Sequence, residues 1–239
     1  KAIEFVEKGD EAGDVMFYTG WNGQVTRVSG LRNVYSQDDV DQLEITNILS
    51  GAGAAVTGLS VDPNDPNHVV VTVGGYGNSS AGKVRETFNA LSDNVTWNNI
   101  WSSAGFNNMP CYDVVIDAND ASGESIVVGT EFGIFVTDDG GDSWAISNIG
   151  MENGPDGITA PVFDLKQQFR DSHPWSNITN GGAIYAGTHG RGIFVNGIAS
   201  DVDEEEIEIA QASWNVFPNP VIGGELSLPT MGWQSQARI

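Results

Sequence analysis

Apolar residues in this chain come in short runs, and the runs recur. Four of them end on a glycine: Val15–Gly20, Val69–Gly74, Ser125–Gly129 and Ala183–Gly187. Their closing glycines, Gly20, Gly74, Gly129 and Gly187, are 54, 55 and 58 residues apart. An apolar run precedes each (Ala2–Val6, Val56–Val61, Tyr112–Ile116, Val162–Leu165), and another follows (Val25–Val28, Lys83–Phe88, Gly133–Val136, Gly192–Val195). A last run opens at Trp97 and again at Trp144, and Ile45–Ile48 takes that place in the first unit. Runs of about five residues divided by turn formers, such as Asp62–Asn67 and Asp117–Gly123, predict strands. A sheet of four such strands cannot bury both faces alone, so the repeat predicts an all-β fold of β-propeller blades stacked about an axis.

About four blades are expected over residues 1–199. The fourth unit shows three strands before the repetition stops. Propellers carry ~4–8 blades, and Lys1 enters directly on the first inner strand with no spare strand before it to complete the fourth unit, so the chain is expected to be the C-terminal part of a larger one; a closed four-blade ring is the alternative. The acidic run from Asp201 to Glu208 predicts a solvated linker over 200–212. Residues 213–239 read as the start of a separate, small β-sandwich-like domain.

Charge narrows the partners. The 32 acidic and 10 basic residues give a net charge of -22, which disfavours nucleic acid and anionic membrane surfaces. Nothing predicts a membrane span. The single cysteine, Cys111, excludes an intrachain disulfide and a cysteine zinc site.

The sharpest motif runs from Thr137 to Trp144, Thr-Asp-Asp-Gly-Gly-Asp-Ser-Trp. Thr137, Asp139, Gly141, Ser143 and Trp144 occupy the fixed positions of an Asp-box. Asp139 is expected to accept backbone N–H groups within the turn, Gly141 to allow a positive φ, and Trp144 to fill the layer between blades. Asn94-Val95-Thr96-Trp97 preserves the tail of such a box, with Asn94 in the glycine slot and no aspartate. No cofactor is required by this pattern. Ca²⁺ is the alternative, with Asp138, Asp139 and Asp142 as its ligands.

The segments Gly133–Trp144 and Gly187–Val195 resemble the Asp-box (BNR-repeat) propellers of the sialidase, xyloglucanase and sortilin-like superfamily, and the resemblance spans roughly residues 1–197. It implies architecture more than activity, since hydrolases, receptors and surface proteins share these repeats. Separately, Asn215-Val216-Phe217-Pro218-Asn219-Pro220, followed by Gly224–Leu228, looks like the opening of a type IX secretion (Por) C-terminal sorting domain. That resemblance implies a Bacteroidetes-type protein, a partnership with the type IX secretion machinery, and an extracellular or outer-cell-surface location. Only the opening of such a domain is present, so truncation at both ends is expected.

In such propellers, ligands meet the loops joining second to third strands and fourth to next first strands. The first set offers Trp21, Asn22, Tyr76, Asn78, Glu131, Phe132, His189 and Arg191; the second offers Trp101, Phe106, Asn107 and Asn108. Aromatic rings beside amides suit a glycan, whose apolar face stacks while its hydroxyls bond. Inter-blade packing is the competing explanation for the same aromatics. No catalytic set is assigned. Glu131 is the one candidate acid, with Asp113 or Asp164 as partners for a glycoside hydrolase, which needs two carboxylates ~5–9.5 Å apart. Sialidase-type clamping needs clustered arginines, yet only Arg191 falls on a ligand-side loop; Arg27 and Arg85 lie on third strands as structural residues. The expected function is a secreted or cell-surface module that binds glycan or protein. A polysaccharide-degrading hydrolase and an extracellular filament subunit are the alternatives.

Overall fold

The structure, a computed structural model, describes residues 2–77, 82–101, 108–151, 159–170 and 178–196. It also describes the backbone of the short strands at 214–216, 225–226 and 237–238. The fold is the expected all-β array of four-stranded antiparallel sheets. The first comprises β1 (Ile3–Phe5), β2 (Met16–Thr19), β3 (Val25–Ser29) and β4 (Glu44–Leu49). The second comprises β5 (Val56–Val61), β6 (Val69–Val73), β7 (Val84–Thr87) and β8 (Asn98–Asn99). The third holds β9 (Cys111–Ile116), β10 (Ile126–Thr130), β11 (Gly133–Thr137) and β12 (Ala145–Ile146). The fourth holds β13 (Val162–Gln167), β14 (Ile184–Thr188), β15 (Gly192–Asn196) and β16 (Trp214–Val216).

The fourth sheet differs from expectation. Strand β16 pairs with β15 through Phe194–Val216 and Asn196–Trp214. Trp214–Val216 thus completes the fourth sheet, where three strands had been expected and where the expected C-terminal domain was placed to begin. The spacing hid this strand, because it follows an acidic run rather than a repeat of the preceding units' connections. A two-stranded sheet joins β17 (Glu225–Leu226) to β18 (Ala237–Arg238). The rest of the linker and C-terminal segment lies outside the described residues.

Burial shows why the sheets stack face to face. Every residue of β6 and β10 is buried, as only a strand covered on both sides can be. Alternate residues then feed different cores. Val69, Val71 and Val73 pack with Phe17, Val25 and Leu49 of the first blade, while Val70 joins Val114, Ile116 and Ile126 on the other side. In the third blade, Ile126 and Val128 face backwards, and Val127 faces forwards to Val162, Leu165 and Phe194. Each buried valine or leucine stabilises the stack by about 1.5–3 kcal/mol. The four inner strands surround a cavity of about 150 Å³ lined by residues such as Glu4, Leu59, Val115 and Lys166. Across it, Lys166 Nζ pairs with Glu4 Oε1 at 2.9 Å, linking the fourth blade to the first.

The tryptophan wedges have matched geometry. Trp144 Nε1 donates to the Ile100 carbonyl at 2.8 Å, and Trp97 Nε1 donates to the Ile48 carbonyl at 2.8 Å. Each indole therefore reaches the outer strand region of the preceding blade. Asp139 closes the turn that ends at Trp144: it accepts from Thr137 Oγ1 (2.7 Å), Ser143 N (2.8 Å) and Ser143 Oγ (2.6 Å). These donors hold its carboxyl at about 2.

The second box is more complete than its sequence suggested. Asn89 stands in for the aspartate: its Oδ1 accepts from Thr87 Oγ1 (2.8 Å), Thr96 N (3.0 Å) and Thr96 Oγ1 (3.3 Å). Its Nδ2 donates to Asn94 O at 3.0 Å, inside a longer turn. Asn94 is therefore part of the insertion, and the box begins at Thr87.

Candidate functional site

One backbone irregularity recurs at the same place in three blades and builds the site. Where β5, β9 and β13 begin, the pairing slips: Val56 and Gly58 pair with Val73 and Thr72, leaving Thr57 unpaired. Cys111 and Asp113 pair around Tyr112 in the same way, and Val162 and Asp164 pair around Phe163. A β-bulge of this kind turns its extra residue out of the ladder. Thr57, Tyr112 and Phe163 thus stand side by side at one end of the inner strands. Tyr112 and Phe163 meet edge to face, their centroids 4.6 Å apart.

Together with Trp21, Ala55 and Val56, these three residues line a hollow of about 190 Å³. Trp21 is carried by the tight turn between β2 and β3, closed by Gly20 N to Gln24 O at 2.9 Å. Its ring is 75% exposed. An exposed indole sharing a hollow with Tyr112 and Phe163 offers a stacking surface.

The β10–β11 turn supplies the rim. Thr130 Oγ1 donates to Gly133 O at 2.8 Å, and Asn148 braces the turn through Ile134 N (2.8 Å) and Phe132 O (3.0 Å). A Cβ at Gly133 would come within 2.2 Å of Asn148 Oδ1 while φ is +99°, so only glycine fits. The turn presents exposed Phe132 and half-buried Glu131. Tyr112 donates its hydroxyl to Glu131 Oε2. The Glu131 carboxylate also raises the pKa of the Tyr76 phenol. For Tyr112, burial first and then Glu131 push the phenol up, so it stays a protonated donor.

The β14–β15 turn repeats the pattern. Thr188 Oγ1 donates to Gly192 O at 2.7 Å, and His189 N donates to Pro161 O at 2.9 Å as Glu131 N does to Pro110 O at 3.3 Å. His189 consequently sits where Glu131 sits one blade earlier. Its ring lies 5.3 Å from that of Phe163.

The expected ligand residues divide into two groups. Trp21, Tyr76, Glu131, Phe132 and His189 gather at this end of the axis. Trp101 does not: it is 1% exposed and packs edge-on against Trp144 (4.8 Å) and Phe135 (5.4 Å). Arg191 turns away, donating to the Met151 carbonyl and lying 5.7 Å from the Phe194 ring. Asn78, Phe106 and Asn107 lie outside the described residues. Tyr112 and Phe163 were missed as ligand-side residues, because a bulge depends on register between distant strands and leaves no local signature.

The carboxylates expected to partner Glu131 fare differently. Asp113 is buried and accepts from Leu165 N at 2.8 Å, tying the third blade to the fourth. Burial pushes its carboxyl well above the usual range. Asp164 is exposed. Arg27 and Arg85 are buried structural residues: Arg27 donates to Ala90 and Ser92 carbonyls (both 3.0 Å), and Arg85 to Ala52 (2.9 Å). Among the described residues, no group of three or more potential metal ligands forms a cluster. Asp138 accepts from Ser125 Oγ at 3.1 Å.

No family model matches the chain, and no curated protein does either. Solved structures do. The chain is similar to the GH74 xyloglucanase of Xanthomonas campestris, with a TM-score of 0.51 and 15% identity over 93% of its length. It spans 31% of that enzyme's chain. It also aligns with the β-propeller domain of Myceliophteria thermophila Cps50 (Swd1), with a TM-score of 0.40 and 13% identity, over 89% of this chain and 70% of that one. At such identities the likeness concerns fold: the sheets are propeller blades.

Proposed function

We propose that the chain is a glycan-binding propeller module whose ligand enters the aromatic mouth at the bulged ends of β5, β9 and β13. One observation carries this reading. Trp21, Tyr112 and Phe163 line a single hollow, and Glu131 stands beside it in the grip of Tyr112. The C–H face of a pyranose stacks on such rings while its hydroxyls reach the carboxylate and the turn's backbone groups. Resemblance to Asp-box proteins and to type IX sorting domains supports a secreted or cell-surface setting for this binding.

Isothermal titration of the 239-residue chain against a panel of oligosaccharides tests the proposal. Binding that Trp21→Ala weakens by ~10-fold or more, in line with stacking energies of about 0.5–1.5 kcal/mol plus lost burial, supports it. Absence of binding across the panel overturns it.

A hydrolytic reading draws on Glu131 at the mouth and on the xyloglucanase likeness. It requires a second carboxylate across the cleft, and Asp113 is committed to the backbone of β13. Release of reducing sugar by the chain, abolished in Glu131→Gln, would favour hydrolysis over simple binding.

A further inference from the structure

Building on the glycan reading, we propose that the mouth selects amino sugars, glycan units that carry a free ammonium group. Two features of the site act on charge in the same direction. Aromatic faces are electronegative and attract cations that lie over them, and the mouth presents Trp21, Tyr76, Tyr112 and Phe163 within one neighbourhood. Glu131 adds a formal negative charge at the rim. A carboxylate has about four lone-pair positions, so the Tyr112 phenol leaves room for an ammonium donor.

Among the described residues, the nearby cations are engaged elsewhere. Arg191 is turned onto the Met151 carbonyl. Lys83 is buried, its ammonium donating to the Gly75 carbonyl at 2.6 Å and the Gly74 carbonyl at 3.3 Å. His189 packs against Phe163 at the mouth, its ring 5.3 Å from that of Phe163. Among the described residues, an acidic sugar would find no guanidinium clamp here, since Arg27 and Arg85 serve the blade interfaces. The net charge of -22 adds a long-range bias towards cations.

The shape of the hollow favours a sugar over a basic peptide. A space of about 190 Å³ walled by Trp21, Tyr112 and Phe163 receives the flat face of a pyranose, which a lysine side chain lacks. The ring stacks, and the amine at its edge meets Glu131.

Calorimetric titration at one pH of about 6, where carboxylates are ionised and primary amines protonated, tests the proposal. The probes are a glucosamine pentamer, the matching N-acetylglucosamine pentamer, cellopentaose and an oligolysine of equal charge. The glucosamine pentamer is expected to bind ~10-fold or more tighter than either neutral pentamer. Glu131→Gln is expected to bring the three glycans close together, and Trp21→Ala to weaken all three. Equal binding of the three glycans by the unmodified chain overturns the amino-sugar inference and leaves glycan binding standing. Binding of none overturns both. Oligolysine binding as tightly as the glucosamine pentamer also overturns the inference, because charge alone would then explain the preference.

Discussion

Asn89 and Asp139 fill the same position in successive blades with different chemistry. Both accept from a threonine two residues earlier and from the residue just before the tryptophan. The longer turn of the second blade also presents the Asn94 carbonyl, which an aspartate would repel and the Asn89 amide satisfies. Asn89→Ala is expected to cost about 1 kcal/mol, read as a lower urea midpoint. Asn89→Asp should also destabilise, which a chemically interchangeable box would not show. His68 is a second residue whose role emerges only in three dimensions. It is 1% exposed, stacked on Phe88 at 4.5 Å, and bonded to Asp62 (3.2 Å) and Glu86 (2.9 Å). Burial alone would lower its pKa, but hydrogen bonds and charge from the two carboxylates override it and raise the imidazole from 6.5 to about 9. A raised folded-state pKa means stability that is full below about pH 6.5 and lost as pH climbs through 9, on the order of 3 kcal/mol in all. Urea denaturation across that window should show the decline, and His68→Gln should start less stable and flatten it.

At the level of elements, the blades meet so closely that some strand positions admit no side chain. A Cβ on Gly58 would lie 2.5 Å from the Asp113 Cα on β9, so β5 and β9 approach backbone to backbone. Gly58→Ala is expected to destabilise by about 1–3 kcal/mol through forced separation of the second and third blades, seen as a drop in Tm. Its effect should exceed that of Thr57→Ala, which removes one hydrogen bond to the Cys111 carbonyl of the next blade (2.7 Å) without forcing the strands apart. Strand order and most boundaries were legible in the sequence, because each blade repeats one alternation and closes with a glycine or a tryptophan. The bulges at Thr57, Tyr112 and Phe163 were not, since pairing partners across β6, β10 and β14 define them. Trp101 shows the converse difficulty. A tryptophan in a loop between blades looks the same in sequence whether it faces water or, as here, Trp144. Arg191 had the right loop and the wrong direction, which Met151, 40 residues away in sequence, decides.

At the scale of the whole molecule, surface charge and the apolar mouth act over different distances, and salt separates them. Net charge -22 creates a field that draws a cationic oligosaccharide from afar. Stacking on Trp21, Tyr112 and Phe163 begins only at contact. The Debye length falls from about 10 Å at 0.1 M salt to about 3 Å at 1 M, so added salt removes the field and spares the stacking. Stopped-flow mixing with the glucosamine pentamer, followed through the part of the tryptophan emission change that Trp21→Ala removes, should therefore show an association rate that falls with salt and a dissociation rate that changes far less. The two neutral pentamers should associate at rates nearly independent of salt. If the dissociation rate of the cationic pentamer instead climbed in step with salt, the ligand would be held by diffuse surface charge, and the bulged aromatic mouth would not be its seat.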